Sequence, residues 1–313
     1  MKVSFIVPLY NGLSLTQAMA VSLQATVPRG LAYEIVLVDD GSTDGTRSWL
    51  ATLRAPFHVV LNQCNLGYAG ANNRGVAVAT GEILVLLNND LILTPGWLEP
   101  MLEAHRWFGE RAGVIGNVQR RVETGAVDHS GVKINLKGKP EHDTMLPPRW
   151  WRLIHRIHRT AAVTGACALV TRTLWQKLGG FDERFLNGGE DVDFCFRARS
   201  EGLINAVAWR SVIWHHVSAS PGRKLRDEQN SLRLAQRWRG EFEQLALRRW
   251  CWDYLDRQWT TPHDALEHSS ARAALGYALG LRPTAPVIAV EGMRAAMDRE
   301  FTRWNELLPA TGA

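Results

Sequence analysis

The chain has 313 residues, 46% of them hydrophobic, which is enough to bury one large core or two modest ones and reads as globular. Its 36 basic residues against 31 acidic ones leave a net charge of +5, which favours anionic partners such as phosphorylated ligands but is spread too thinly to argue for nucleic acid. Cys64, Cys167, Cys195 and Cys251 stand far apart with no CxxC pair, so neither a zinc site nor a disulfide framework is expected, and a reducing cytoplasm is the default.

The opening apolar stretch is broken by Pro8, Asn11 and Gly12 before any cleavage site, so no signal peptide is expected. No window approaches the roughly 18 uninterrupted apolar residues that span a bilayer. The expected location is therefore cytoplasmic, with any membrane contact peripheral, at the inner face.

In chain order, “VSFIVPLY” (3–10), “YEIVLVDD” (33–40), “FHVVLN” (57–62) and “EILVLLNND” (82–90) are nearly continuous apolar runs, the pattern of strands buried on both faces. Between them, “SLTQAMAVSLQAT”, “TDGTRSWLATL” and “YAGANNRGVAVAT” each place apolar residues on one helical face. Alternating β and α segments predict a parallel, doubly wound sheet, whose ligand lies beyond the carboxyl ends of the strands. The loops there carry Pro8–Gly12, Asp39–Asp44, Asn65–Gly70 and Asn88–Asp90.

After a helix opened by Pro95, “GVIGNVQRR” and “AAVTGACALVTR” read as strands, separated by a long segment containing “LPPRWWRLIHRIHR” (146–159). Residues 190–201 read as a helix, “INAVAWRSVIWHHV” (204–217) as one or two strands, and the chain from about Lys224 as mostly helical. The expected division is residues 1–220 and a helical extension over 221–313 packed on it.

Several stretches carry chemistry, each with a plainer reading beside it. “VDDGSTDGT” (38–46) is either a turn capped by Ser42 or Thr43, or a site where Asp39 accepts hydrogen bonds from a base or ribose. “NLGYAGANNRG” (65–75) lacks the GxGxxG spacing. It either packs a glycine-rich helix entry on the sheet or brings backbone N–H groups and Arg74 to a phosphate. Asp90, ending “LLNND”, is a turn former or a hard oxygen ligand for Mg²⁺ or Mn²⁺.

“GGEDVDFCFR” (188–197) sets Glu190, Asp191 and Asp193 at a helix start, where acids are favoured electrostatically. Asp193 and Arg197 form an i, i+4 pair, while the flexible lead leaves Asp191 accessible as a general base. His215 and His216 are adjacent in a strand, so at most one faces a given site. “RWWRLIHRIHR” (149–159) interleaves Trp150 and Trp151 with four arginines, as in a solvated helix or a surface for anionic membrane or a lipid-linked acceptor.

The ordered set “IVPLYN” (6–11), “VDDGSTDGT”, “NLGYAGANNRG”, “LLNND” (86–90), “GAC” (165–167), “GGFDERF” (179–185), “GEDVDFCFR” (189–197) and “IWHHVSAS” (213–220) resembles the family 2 glycosyltransferases, most closely the rhamnosyltransferase-like branch. The resemblance spans roughly residues 1–220 and implies the GT-A fold: an α/β, mostly parallel sheet flanked by helices, acting by inversion. It implies a nucleotide side made of Pro8 and Tyr10 about the base, Asn11, Asp39, Asp40, Asn65, Gly67, Asn72, Arg74, Asn88 and Asn89. It further implies Asp90 and His215 as ligands of Mg²⁺ or Mn²⁺, Asp191 as catalytic base, and Gly165, Ala166, Cys167 and Glu190 on the acceptor side.

The implied donor is a UDP- or dTDP-linked sugar, and the implied acceptor a saccharide or lipid-linked glycan of bacterial cell-surface polysaccharide synthesis. Asn88 departs from the family's DxD pattern by replacing its first acid, which implies modest metal affinity. Two other readings of the same residues are a nucleotidyltransferase, which would release pyrophosphate, and a module that binds nucleotide-sugar without turnover.

Overall fold

The computed structural model describes residues 1–217, 223–259 and 268–308. The chain separates into two compact units, the first Met1–Val132 with His142–Arg223, the second Lys133–Glu141 with Lys224 onward. The boundary falls between Arg223 and Lys224, and the second unit takes in a short segment that the sequence pattern leaves with the first. Residues 218–220 of the last motif lie outside the described residues.

The first unit runs β1 (Lys2–Leu9), α1 (Leu13–Thr26), β2 (Ala32–Asp39), α2 (Thr46–Leu50), β3 (Phe57–Leu61), α3 (Gly67–Val78) and β4 (Ile83–Leu87). It continues through β5 (Leu91–Ile92), α4 (Glu99–Phe108), β6 (Ala112–Arg121) and β7 (Val127–His129). The chain then makes a hairpin of β8 (Val132–Ile134) and β9 (Pro140–His142), most of which belongs to the second unit, and the first unit resumes with α5 (Arg149–Ile154), β10 (Ile157–Arg159), β11 (Cys167–Thr171), α6 (Arg172–Leu178), α7 (Glu190–Ser200) and β12 (Ile204–His215).

The sheet order is β10-β12-β6-β11-β4-β1-β2-β3, with β5 on β12 and β7 on β6. The half built from the first ninety residues is parallel throughout, as the βα alternation predicts. Beyond it, β11 inserts antiparallel to both β4 and β6, and β12 runs parallel to β6. Phe5, Leu23, Ile35, Val85, Trp97 and Leu169 belong to one buried cluster, which fixes the register: a slip of one residue would turn these side chains to the other face.

Two predicted elements differ from their expectation. β3 is not buried on both faces: it is the sheet edge, and Val59 and Leu61 are exposed. The helix read over “TDGTRSWLATL” is only the five residues of α2, Thr46–Leu50. The glycine-rich α3 does pack closely: a Cβ on Gly75 would lie 2.6 Å from Ile6 Cγ2 and 2.9 Å from Val38 Cγ2.

The second unit carries α8 (Arg223–Trp259), interrupted at Trp238, then α9 (His268–Ala278) and α10 (Val287–Leu307). Cys251, Tyr254, Ala274, Ala278 and Ala289 form a small core. Lys139 joins Glu228 at 2.9 Å and Glu300 at 2.6 Å, and Trp304 Nε1 donates to Glu228 at 2.6 Å. Among the described residues no helix is long and apolar enough to cross a membrane.

Candidate active site

The loops at the carboxyl ends of β1, β2 and β4 meet because those strands are parallel neighbours. Asn11, at φ 56°, staples two of them: its N–H donates to Ser42 Oγ at 2.7 Å, and its Oδ1 accepts the Thr43 N–H at 2.8 Å. Pro8 is buried within β1, so of the two residues expected about a base only Tyr10, 52% exposed, offers a face.

Asp39 is fully buried and accepts from Arg47 Nε at 2.7 Å, while Arg47 also donates to the Asn62 carbonyl at 2.6 Å. Asp40 accepts from Asn62 Nδ2 at 2.8 Å and from the Leu66 and Gly67 N–H groups at 2.9 Å each. The Tyr68 N–H goes to Asn187 Oδ1 at 2.9 Å.

These bonds correct one expectation. The N–H groups at the start of α3, which the sequence offers to a phosphate, are already taken by Asp40, Asn65 and Asn187. Nor does Asn72 reach a ligand, since it is fully buried and donates to the Tyr68 carbonyl. Arg74 is exposed, about 10 Å along the axis from the helix start.

After β4, the Asn88 N–H donates to the Ala166 carbonyl at 2.9 Å and Asn89 Nδ2 donates to Thr16 Oγ1 at 2.9 Å. The Asn89 side chain and the Asn88 backbone are thus committed to bracing the loop. Asp90 is buried, with Oδ1 3.2 Å from His215 Nε2. Pairing of β5 with β12 sets His215 opposite Leu91, and strand alternation sends His216 the other way, 3.5 Å from Glu123. His215 is therefore the histidine that faces the site.

On its other side, His215 Nδ1 lies 3.6 Å from Asp128 Oδ2, and Arg121 Nη2 lies 3.0 Å from Asp128 Oδ1. Burial pulls the His215 pKa down, but Asp128 and Asp90 outweigh it and raise it to about 9. Asp128 is held at about 2, chiefly by His215. These separations are ion-pair contacts: Asp90 Oδ1 and His215 Nδ1 remain buried without a well-formed hydrogen bond.

A buried carboxylate oxygen without a donor, beside an imidazole nitrogen, is a donor set that suits Mg²⁺ or Mn²⁺, and 3.2 Å is close to the roughly 3 Å between neighbouring ligands of an octahedral ion. Among the described residues no group of three His, Cys, Asp or Glu side chains could hold a metal.

The third component is α7, entered through Gly188 and Gly189, whose φ values of 150° and 92° suit glycine. Asp191, in its first turn, accepts the Gly165 N–H at 2.7 Å through Oδ2 and the Val192 N–H at 2.8 Å through Oδ1. Each oxygen keeps a lone pair for a proton. Tyr68 Oη donates to the Gly165 carbonyl at 2.7 Å, and burial pushes its own pKa up. A Cβ on Gly165 would press on that hydroxyl at 3.1 Å.

Glu190 is buried and accepts the Gly188 N–H at 2.8 Å. Asp193 pairs with Arg197 at 2.8 Å, the structural role its spacing indicates. Cys167 does not belong on an acceptor side: it is fully buried in β11, its thiol pKa pushed up by burial.

The turn of residues 164–167 ties these parts together, because Ala166 takes the Asn88 N–H on the cation side and Gly165 donates to Asp191 on the base side. His129, fully buried, accepts the Thr164 N–H at 3.3 Å through Nε2. Burial pushes its pKa well below the usual value, so the ring is neutral. Asp128 and His129 carry no sequence mark of a place beside the site; the only signal is an acid–His pair inside an irregular segment.

Residues 4–167 match the family model described as glycosyl transferase family 2. The O-antigen biosynthesis protein RfbC of Myxococcus xanthus is 32% identical over 70% of this chain and 18% of its own length. The N-acetylglucosaminyl-diphospho-decaprenol L-rhamnosyltransferase of Mycobacterium tuberculosis is 29% identical over 60% of this chain and 68% of its own length. The chain spans less than a third of the length of the curated relatives it matches first.

Among solved structures, GalNAc-T7 with UDP, GalNAc and Mn²⁺ superposes with a TM-score of 0.63 at 18% identity, covering 77% of this chain and 49% of that one. That likeness concerns the fold, which is the GT-A arrangement of a sheet flanked by helices. With the family model matching more than half of the chain, this protein belongs to glycosyl transferase family 2.

Proposed function

We propose that the chain is an inverting glycosyltransferase that moves a sugar, rhamnosyl or another hexosyl, from a UDP- or dTDP-linked donor to a saccharide or lipid-linked glycan of bacterial cell-surface polysaccharide. One observation carries the reading: the Asp90–His215 pair and the Asp191 carboxylate are braced against each other by the turn at residues 164–167. Membership of the family and the similarity to a rhamnosyltransferase support it.

In this reading Asp90 and His215 would hold Mg²⁺ or Mn²⁺, which would supply positive charge against a departing nucleoside diphosphate. Tyr10 offers its ring to the base, while Asp39 and Arg47 hold the loop beneath it. Asp191 takes the proton of the acceptor hydroxyl, and its two N–H contacts hold the carboxylate in line for a single displacement. Inversion follows from one displacement.

Contact with the inner membrane face belongs to the same reading. Trp150, Leu153 and Ile154 are 60%, 60% and 68% exposed beside Arg149, Arg152, Arg156 and Arg159. No Asp or Glu occurs between Asp143 and Asp182 to oppose an anionic surface.

A thermal-shift panel of nucleotide-sugars with and without Mn²⁺ tests donor and cation together, since a ligand of the native state raises its stability with affinity. The expected result is a shift from a UDP- or dTDP-sugar that grows with Mn²⁺, and free UDP or dTDP as product. Pyrophosphate from a nucleoside triphosphate would replace this reading with nucleotidyl transfer. Binding without transfer to any acceptor would replace it with a binding module.

A further inference from the structure

We propose that Asp128 is a positioning residue that orients His215 toward the cation side of the site. The inference rests on the reading of Asp90 and His215 as cation ligands. His215 has a carboxylate within ion-pair distance of each ring nitrogen, Asp90 3.2 Å from Nε2 and Asp128 3.6 Å from Nδ1, so the ring lies in a carboxylate–imidazole–carboxylate row that a bound cation would tighten. A carboxylate on the far nitrogen of a ligating imidazole fixes its tautomer and its rotation, leaving the near nitrogen for the metal.

The row is built into the fold. Register places His215 of β12 opposite Arg121 of β6, and the irregular pairing of β7 with β6 between Gln119 and Arg120 brings Asp128 alongside them. Asp128 is only 6% exposed. Arg121 holds Oδ1 from the solvent side, and His142 Nδ1 lies 3.2 Å from the Asp128 carbonyl. Oδ2 is thereby left to His215.

The experiment is Mn²⁺ binding to the full chain followed by electron paramagnetic resonance at pH 8.5. Electron spin-echo modulation reports a coordinated imidazole nitrogen. Wild type is expected to bind Mn²⁺ with the nitrogen signature. Asp128→Asn is expected to weaken binding by about 10–100-fold and to diminish that signature. Arg121→Gln, which removes the outer ion pair but leaves the row, is expected to stay within about threefold of wild type.

Melting temperatures without Mn²⁺ check that each variant folds. If Asp128→Asn does not fold, Asp128→Glu, which moves the carboxylate by one methylene, makes the same distinction through the nitrogen signature. Asp128→Asn with wild-type affinity and full nitrogen modulation overturns the inference and leaves the cation site intact. Wild type binding Mn²⁺ without nitrogen modulation overturns His215 as ligand and the inference with it. Wild type that binds no Mn²⁺ overturns the cation reading itself.

Discussion

Glu34→Gln probes the frame on which the site stands without touching the site. Glu34 is buried in β2 beside the amino end of β1, where it accepts from Ser4 Oγ at 2.5 Å, Lys2 Nζ at 2.9 Å, and the Thr80 and Gly81 N–H groups at 2.6 and 3.2 Å. Burial opposes ionisation, but these donors outweigh it and hold the carboxyl at about 2, against 4.5 for the free side chain. A folded-state pKa this far below the unfolded value contributes about 3 kcal/mol at neutral pH.

The sign is that of a depressed acid: the contribution is complete above 4.5 and is lost as pH falls from there toward 2. At pH 3 about 1.4 kcal/mol is left. In urea unfolding followed by far-UV circular dichroism, wild type should exceed Glu34→Gln by about 3 kcal/mol at pH 7 and by about half that at pH 3. A gap that does not shrink between these pH values would refute the assignment to ionised Glu34. Turnover per folded molecule should not change, since the site loops lie at the opposite ends of the same strands.

Three further outcomes concern the site and its surroundings. Asp191→Asn should lower turnover by about 10²–10⁴ with donor affinity kept, measured by nucleotide release and by donor titration, and full turnover would remove Asp191 as base. Asp90→Asn should abolish the additional thermal shift that Mn²⁺ gives a bound nucleotide-sugar while leaving the ligand-free melting temperature within a few degrees, about the size of a single polar change. Trp150→Ala with Trp151→Ala should reduce sedimentation with anionic liposomes, and equal partition with wild type would count against the membrane surface.

Much of the first unit was legible because its strands obey simple periodicity: Val3–Val7, Ile35–Val38 and Ile83–Leu87 are buried, and they form the parallel half of the sheet. Asp90 and Asp191 were legible as acids at a strand end and a helix start. The choice of His215 over His216 was not, because it depends on a two-residue strand, Leu91–Ile92, which sets the register of β12.

Asp128 and His129 were hidden for the same kind of reason: three-residue strands such as Val127–His129 have no period to read, and their side chains acquire meaning only through pairing with β6. The start of α3 misled in the opposite direction. Its glycines suit an anion site, but sequence spacing cannot reveal that Asp40, 27 residues earlier than Gly67, is the anion.

That occupant has a consequence for how a donor is held. The positive end of the α3 dipole already faces a carboxylate of its own chain, so a diphosphate nearby meets a satisfied and negatively charged neighbour rather than open N–H groups. In the proposed reading, attraction for the phosphates would thereby be concentrated at the Asp90–His215 edge. Under the proposed function, nucleotide capture and cation capture would become one event, with the base and sugar choosing the ligand and the cation admitting its charge.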